Sequence, residues 1–393
     1  MRGVAYMKKI SQRLILCIIV VIILLIVGYF VFSQSQKLNT EYQGIVTSSN
    51  KESYDFSEQA YTYLQTLGTD YTNRNLFPED GEETTHDEAK DWIISQLKSA
   101  GYTENQITED TFTAELNEET AQGTNIVVTL GDASATKQII IGAHYDGDGV
   151  GDNASGVAIL LAEATGLVNE SLENHKIVFI FFDGEEDGEL GSEHYVDAMT
   201  KQEKKATDYM INIDSIAFGD YCNVYSGESV NYLVTQTVVR KEPYELAMNA
   251  ADALGITTYR TEDLDGYYAT NGSGPDISSY ALYTNPWTIK NPAPMNFEYM
   301  SPSTGGWGDS APFSDVGIPY LYLEATNWYA KGDGGEYAYT GYFDTGDASL
   351  GENGMFMNTE YDTLENLETY FPGRVMEHFH VYSQLLSALL LNE

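Results

Sequence analysis

Basic residues are scarce in this chain. Its 393 residues include 20 Lys and Arg against 59 Asp and Glu, which gives a formal net charge of −39 at pH 7. Proteins that bind nucleic acid neutralise phosphates with clustered Lys and Arg, so the composition excludes a general basic surface and predicts no nucleic-acid partner. The same balance disfavours binding to an anionic membrane surface. Residues 1–40 hold five basic residues and no acidic one, so the negative excess lies in the rest of the chain.

Cysteine is almost absent, since Cys17 and Cys222 are the only two. Cys17 lies in an apolar run near the N-terminus, so we expect no disulfide between them. A long domain without a disulfide has to be held together by its hydrophobic core, with metal ions as a further aid. The hydrophobic share of 42%, with 30 Tyr, 15 Phe and 4 Trp, is too high for a disordered acidic chain. We therefore expect a large acidic globular domain.

An apolar run of 19 residues without a charge covers positions 14–32. At about 1.5 Å per residue it is long enough to span the hydrocarbon core of a bilayer. Basic residues precede it, and the positive-inside rule places residues 1–13 in the cytoplasm as a basic tail. We expect an uncleaved single-pass anchor rather than a signal segment, although Ser33 and Ser35 resemble a small-residue cleavage site.

The rest of the chain is then expected outside the cell. Residues 33–52 are polar and predict a tether, and residues 53–393 are expected to form the globular domain. The near absence of disulfides suits a bacterial surface enzyme better than a secreted eukaryotic one. The predicted location is therefore the cell membrane with an extracellular domain, and the protein would be secreted if the apolar segment were cleaved.

Apolar strands alternate with helical segments along the acidic part of the chain. The predicted strands are 125–130, 138–143, 176–182, 209–213 and 319–323. The predicted helices are 56–67, a helix that ends at 100 after a capping box at Thr85 and Glu88, 155–168, 190–199, 242–254 and 374–391. Strands without alternating polarity indicate an α/β fold in three layers, with a mostly parallel, mixed central sheet flanked by helices. The Gly- and Tyr-rich stretch 324–356 predicts a long functional loop.

Polar side chains follow three of these strands. His144 and Asp152 come after the first, Glu185 and Glu186 after the second, and Asp214 after the third. The carboxyl ends of parallel strands share one edge of a sheet, so these groups are expected to converge. Imidazole and carboxylates without thiolates suit Zn²⁺, with Mn²⁺ or Co²⁺ as alternatives. A metal also resolves the repulsion between adjacent carboxylates, because one can ligate while the other stays free as a general base.

Each of these groups also has a structural interpretation. Asp152 alone is typical of a helix N-cap, the pair Glu185-Glu186 is typical of a solvated loop, and Asp214 is typical of a turn. Their occurrence after three successive strands favours the metal site instead. Asp146, two residues after His144, is expected to accept a hydrogen bond from the second imidazole nitrogen.

The chain resembles the M28 family of zinc peptidases, whose metal centre is co-catalytic. The motifs that carry the resemblance are GAHYD at 142–146, GDNASG at 151–156, FDGEE at 182–186, NID at 212–214 and GIP at 317–319. The resemblance implies a zinc-exopeptidase-like fold for residues 53–393. It also implies hydrolysis of peptide bonds by water activated at one or two zinc ions, with aminopeptidase action on extracellular peptides as the expected activity.

The resemblance also implies the role of each ligand. His144 and Asp214 would bind one metal, Glu186 the other, and Asp152 would bridge them. Glu185 would be the general base. Asn358 stands where the family usually supplies a final His ligand.

An amide oxygen is a weaker Zn²⁺ ligand than imidazole, so we expect a weak second site at Asn358. Ser310 likewise stands where a His is common, and Glu324 is a candidate substitute ligand.

Two further functions fit the same residues. A catalytically degenerate binding protein of the same fold would explain Asn358 and Ser310. A glutaminyl cyclase-like aminoacyltransferase would need only one metal. Asn327, Trp328 and Tyr329 are expected to line the substrate pocket. The side-chain preference, the choice between amino- and carboxypeptidase action, and the oligomeric state do not follow from the sequence.

Overall fold

The computed structural model describes most of the acidic part of the chain. The described residues are 54–78, 81–117, 119–132, 134–172, 175–226, 228–231, 236–239, 242–259, 281–284, 308–327, 345, 347 and 349–391. The predicted basic tail, apolar anchor and tether lie outside them, as do Trp328 and Tyr329. Within the described ranges, no helix combines the length and the apolar character needed to cross a bilayer.

The described ranges contain helices and strands in alternation. The helices are α1 (Ser57–Asp70), α2 (His86–Ala100), α3 (Ala154–Gly166), α4 (Leu190–Ala198), α5 (Lys201–Ala206), α6 (Glu242–Leu254), α7 (Ser310–Asp315), α8 (Leu364–Tyr370) and α9 (Arg374–Leu391). The strands are β1 (Ile107–Leu116), β2 (Glu119–Leu130), β3 (Lys137–His144), β4 (His175–Phe182), β5 (Thr207–Ile213), β6 (Tyr221–Ser226), β7 (Glu228–Asn231), β8 (Gln236–Val239), β9 (Thr257–Tyr259), β10 (Ala281–Thr284) and β11 (Tyr320–Thr326).

Nine of the strands in the described part form one mixed sheet, in the order β1-β2-β4-β3-β5-β11-β6-β10-β9. Its centre is parallel, because β3 pairs in parallel with both β4 and β5, and β5 pairs in parallel with β11. β1 and β2 are antiparallel to their neighbours, and so are β11 and β6 to one another. The predicted mostly parallel, mixed sheet is therefore confirmed. β7 and β8 form a separate antiparallel pair.

Hydrophobic residues of the central strands face both sides of the sheet, which produces the three layers. Ile139 and Ile141 of β3 belong to the cluster that also contains the buried faces of α1, α2, α3, α6 and α9. Ile140 points to the other side and packs in a cluster with Val196 of α4 and Phe313 of α7. Burial of one such side chain contributes roughly 1.5–3 kcal/mol, so both faces stabilise the sheet.

Several local predictions need correction. The sequence does not predict β1, because this strand is rich in Thr and acidic residues and has few buried apolar residues. Thr85 does precede α2, but no side-chain cap bond forms there, and its hydroxyl donates to the carbonyl of Asn73 instead.

β11 extends through Thr326, so the first residues of the predicted functional loop belong to the sheet. The strand continues because β6 pairs with β11 as far as Thr326.

The parallel centre of the sheet brings the predicted ligands to one edge. His144 is the last residue of β3, Glu185 and Glu186 come shortly after β4, and Asp214 follows β5. β3 lies between β4 and β5, with His144 beside Phe182 in the register. Because the three strands run in the same direction, their carboxyl ends present these side chains to a common space.

Candidate metal centre

His144 lies at the centre of a group of carboxylates. Its side chain is 1% exposed, and its Nε2 atom lies 3.3 Å from a carboxylate oxygen of Asp152, 3.6 Å from one of Asp214 and 3.7 Å from one of Glu185. These distances exceed a normal hydrogen bond of about 2.9 Å. Neither ring nitrogen has a hydrogen-bond partner among the described residues. A buried imidazole without a hydrogen bond, surrounded by carboxylate oxygens, is the arrangement expected of a metal ligand.

Two overlapping sets of side chains can each hold an ion. His144, Asp152 and Glu186 form one set, and His144, Glu185 and Asp214 form the other, with the ligand atoms of each set within 4.8 Å of one another. Four of the five predicted ligands are thus brought together with the predicted base. The donor set of one imidazole and carboxylates fits Zn²⁺, Mn²⁺ or Co²⁺.

Asp146 connects the two ligand segments. Its Oδ1 lies 3.5 Å from Nδ1 of His144, as expected for an acceptor on the second imidazole nitrogen, although that distance is long for a hydrogen bond. The same carboxylate also accepts the backbone N–H groups of Glu185 and Glu186, at 3.2 Å and 3.1 Å. Asp146 therefore fixes the turn after β4 relative to His144.

Asp152 is not the N-cap of α3, so that structural interpretation is wrong. Asn153 is the N-cap, because its Oδ1 accepts the N–H of Gly156 at 3.0 Å. Asn153 also donates to the carbonyl of Ile213 at 2.9 Å, which ties the start of α3 to the end of β5. Since Asn153 does the capping, the carboxylate of Asp152 stays available beside His144.

Asp214 is oriented by two hydroxyl groups. Tyr322 of β11 donates to its Oδ2, and Ser215 donates to its Oδ1 at 3.1 Å. The sequence analysis did not identify Tyr322, since β11 lies far along the chain and becomes a neighbour only in the sheet.

Asp309 is a further carboxyl group that the sequence analysis did not assign. It precedes α7, it is 1% exposed, and burial raises its pKa to about 8. Its charge is one of those that raise the pKa of Glu185. In the segment around Asp309, the sequence singles out only Ser310, which is wholly buried at the start of α7. The sequence does offer one signal for Asp309, because it is an acidic residue next to Ser310, in a segment that resembles the family.

The crowded carboxylates shift the pKa values of the groups in the site. Burial and the neighbouring carboxylates raise the pKa of Glu185 well above its usual range, and they raise the pKa of Glu186 to about 9. Burial lowers the pKa of His144, but the charge of Glu185 and the contacts with the surrounding aspartates outweigh it, so the pKa is raised well above 6.5. A divalent cation neutralises such a cluster, so the electrostatics fit a metal.

Asn358 lies in an exposed turn with a backbone φ of 56°. Asp362, four residues later, accepts the backbone N–H groups of Gly151 and Asp152 at 2.7 Å and 3.0 Å. The segment that carries Asn358 is therefore attached to the loop that carries Asp152. A ligand role for Asn358 stays a prediction, as does one for Glu324, which is 8% exposed in β11.

Comparison with known proteins supports the family resemblance. Residues 125–264 match the sequence model of Peptidase family M28. The alkaline phosphatase isozyme conversion protein of Escherichia coli is 27% identical over 310 residues, which cover 72% of this chain and 77% of that protein. Several bacterial and fungal proteins named aminopeptidase or leucine aminopeptidase match over 28–43% of this chain, and the match spans only 21–35% of their own length.

Solved structures share the fold at low sequence identity. An Acidobacteriales bacterium glutaminyl cyclase has a TM-score of 0.57 at 15% identity, covering 88% of this chain and 98% of its own. A Zn-dependent exopeptidase from Parabacteroides distasonis has a TM-score of 0.54 at 17% identity, covering 87% and 100%. The predicted zinc-exopeptidase-like architecture is thus confirmed. The segment 125–264 of this chain is thus similar to Peptidase family M28.

Proposed function

We propose that this protein is a metal-dependent aminopeptidase that acts on extracellular peptides. The observation that carries the proposal is the convergence of His144 with Asp152, Asp214 and Glu185 at 3.3–3.7 Å. The relatives support hydrolysis at the N-terminus of peptides as the reaction, since several of them are named aminopeptidase.

His144, Asp152, Glu186 and Asp214 would hold one or two zinc ions. When bound, zinc supplies a Lewis acid for the scissile carbonyl and lowers the pKa of water. Glu186 is exposed at the edge of the site, whereas His144 is buried beneath it. Asp146 and Tyr322 hold their neighbouring ligands in place, so the protein supplies a largely preset arrangement.

Glu185 would act as the general base. It removes a proton from the attacking water while the water oxygen bonds to the scissile carbonyl carbon. As the carbon–nitrogen bond breaks, Glu185 returns that proton to the leaving amine, and the products are a carboxylate and a free amine. The hydrogen bond from its backbone N–H to Asp146 holds the turn that carries it, so its carboxylate is kept near His144.

The test uses the full chain, purified in detergent because of the predicted anchor. It should release N-terminal residues from peptides, and chelation should abolish the release. Glu185→Gln should lower kcat by roughly 10²–10⁴-fold, the usual scale for loss of an essential base. Glu193→Gln, an exposed change on α4, should leave the rate unchanged. Failure to hydrolyse a broad peptide library with Zn²⁺, Mn²⁺ or Co²⁺ supplied would refute the proposal.

A glutaminyl cyclase-like aminoacyltransferase is the second candidate. The observation that favours it is Asn358, a neutral residue in an exposed turn where the family has a His, because a cyclase would need only one metal. It predicts pyroglutamate formation from peptides with N-terminal Gln and no release of other residues. A degenerate binding protein would differ from both, since Glu185→Gln would leave its function intact.

The location proposed for the enzyme is the outer face of the cell membrane, with residues 14–32 as the anchor. The apolar run and its basic flank support this proposal. Fractionation of cells, followed by protease treatment of intact cells, tests it. Recovery of the catalytic domain in the cytoplasmic fraction would contradict it.

A further inference from the structure

We propose that Arg74 and Asp362 form a clamp that presets the loop carrying Asp152, one of the side chains that would hold the metal. Both are positioning residues and neither is assigned a direct part in the chemistry. The inference rests on the proposed function, because it concerns the same metal centre. Arg74 precedes α2 and Asp362 precedes α8, so the two reach the loop between β3 and α3 from distant parts of the chain.

Arg74 holds the first part of this loop. Its side chain is wholly buried, and Nε donates to the carbonyl of Tyr145 at 2.9 Å while Nη2 donates to the carbonyl of Gly149 at 2.7 Å. Its backbone N–H donates to the carbonyl of Gly147 at 2.9 Å. The third side-chain nitrogen, Nη1, is held by the carbonyl of Tyr71 at 2.7 Å. The guanidinium thus ties two turns of the loop to the end of α1.

Asp362 holds the second part. Its Oδ1 accepts the N–H of Gly151 at 2.7 Å, its Oδ2 accepts the N–H of Asp152 at 3.0 Å, and its carbonyl accepts the N–H of Val150 at 3.3 Å. Three consecutive amides therefore end on one buried residue. These bonds set the backbone of Asp152, and with it the direction of the carboxylate that lies 3.3 Å from His144 Nε2.

The contact between loop and clamp leaves no free space. A methyl group at Gly149 would lie 2.3 Å from a carboxylate oxygen of Asp362 and 2.1 Å from the carbonyl oxygen of Asp152. Such contacts are far below the van der Waals distance. The glycine is therefore required by the close approach of Asp362, and the loop cannot shift without breaking the clamp.

The charge of Arg74 gives the clamp a second role. Burying a guanidinium without partners is costly, and here its electrostatic partners are Asp146, Asp148, Asp362 and Glu186. The arginine therefore offsets part of the carboxylate repulsion before any ion is present. Lysine would keep the charge but has no planar fork, so it cannot reach the carbonyls of Tyr145 and Gly149 together.

Zinc affinity of the full chain is the first measurement, by competition with a chromophoric chelator. Arg74→Lys and Asp362→Asn should each weaken zinc binding roughly 10–100-fold, the usual effect of removing a group that orients a ligand. Arg374→Lys is the matched control for the arginine, because Arg374 is also paired, with Asp220 and Glu377. Asp132→Asn is the control for the acid, since Asp132 likewise accepts a backbone N–H, that of Ser134. Both controls should bind zinc within about twofold of the unsubstituted chain, the margin left by effects away from the site.

Amide hydrogen exchange on the metal-free protein is the second measurement. Asp362→Asn should speed amide exchange at Gly151 and Asp152. The two carboxylate oxygens each accept one of these N–H groups, and asparagine replaces one oxygen with an NH₂ group that cannot accept. Unchanged exchange there, or zinc binding by both clamp variants as tight as in the unsubstituted chain, would overturn the clamp. If the unsubstituted chain binds no zinc, the proposed function fails, and exchange still decides the clamp. If Arg74→Lys does not fold, Asp362→Asn supplies both readouts.

Discussion

Glu163 of α3 is an acidic residue buried in the hydrophobic core, away from the metal centre. It is wholly buried and accepts a hydrogen bond from Ser383 of α9 at 2.6 Å. Burial raises its pKa well above 4.5. Single residues of this kind shape the stability of the protein at different pH values, because the folded state keeps a proton that the unfolded chain releases.

Glu163→Gln should therefore stabilise the protein above pH 5, and the gain should grow as pH rises towards 7.5. The folded-state pKa is raised, so the wild-type protein loses stability as pH rises above the unfolded value of 4.5. Glutamine does not ionise and keeps the oxygen that accepts from Ser383. Chemical denaturation at pH 7.5 and at pH 4 measures the difference. An equal effect at both pH values would show that ionisation is not the cause.

At the scale of elements, β3 and β4 pack without spare room beside the metal centre. Gly142 of β3 faces Phe182 of β4, and a methyl group on Gly142 would lie 2.3 Å from the aromatic ring. The ring is buried in the cluster on that side of the sheet. A glycine two residues before His144 is thus explained by a close approach between strands.

Gly142→Ala should destabilise the protein by about 1–3 kcal/mol, the usual cost of overpacking a core. Gly68→Ala is the matched control. Its methyl group would lie 3.1 Å from the Val150 side chain, a contact that needs far less adjustment than the 2.3 Å contact at Gly142, and alanine favours helix α1. Thermal unfolding of both variants gives the comparison, and equal melting temperatures would contradict the packing argument.

His378 on α9 predicts sensitivity to acid. Burial first and then the charge of Arg374 lower its pKa, Asp220 opposes both, and the resulting pKa is about 4. Between pH 4 and pH 6.5 the His378 imidazole is protonated in the unfolded chain but neutral in the folded state. The free energy of unfolding therefore falls as pH falls through this window. The loss amounts to about 3 kcal/mol for a shift of this size. His378→Asn should flatten the plot of unfolding free energy against pH, and an unchanged slope would assign the loss to other groups.

At the scale of the whole molecule, the metal centre joins distant parts of the chain. The side chains proposed to hold the metal follow β3, β4 and β5, and Tyr322 and Asp362 come from much later positions. An ion that binds only this folded arrangement stabilises it by mass action. Metal removal is therefore expected to lower the melting temperature as well as the activity.

Metal content should show one tightly held ion per chain and a second that dialysis removes. The reason is Asn358, since a neutral amide is a weaker ligand than imidazole. Asn358→His should strengthen the second site, as measured by zinc titration and by the rise in melting temperature with added zinc. Asn366→His, a change at a half-buried position of α8, is the control. Two equally tight ions in the unsubstituted chain would contradict the prediction.

Much of the fold could be predicted because hydrophobic runs report directly on buried strands. Each of the strands β3, β4 and β5 contains an apolar run, so their burial follows from local sequence. β1 could not be found this way, since it is an edge strand with few buried residues and is defined by pairing with β2. The capping residue of α3 was also missed, because Asp152 and Asn153 are equally good caps in isolation.

The sequence by itself determined the α/β architecture, the similarity to Peptidase family M28 and the cluster of His144 with its carboxylates, because strand ends and residue types are local properties. The tertiary structure alone decided which groups hold that cluster in place. Tyr322 reaches Asp214, and Arg74 and Asp362 reach the loop before Asp152. These contacts join residues far apart in the chain, and hydrogen bonds across such separations leave no pattern in the sequence.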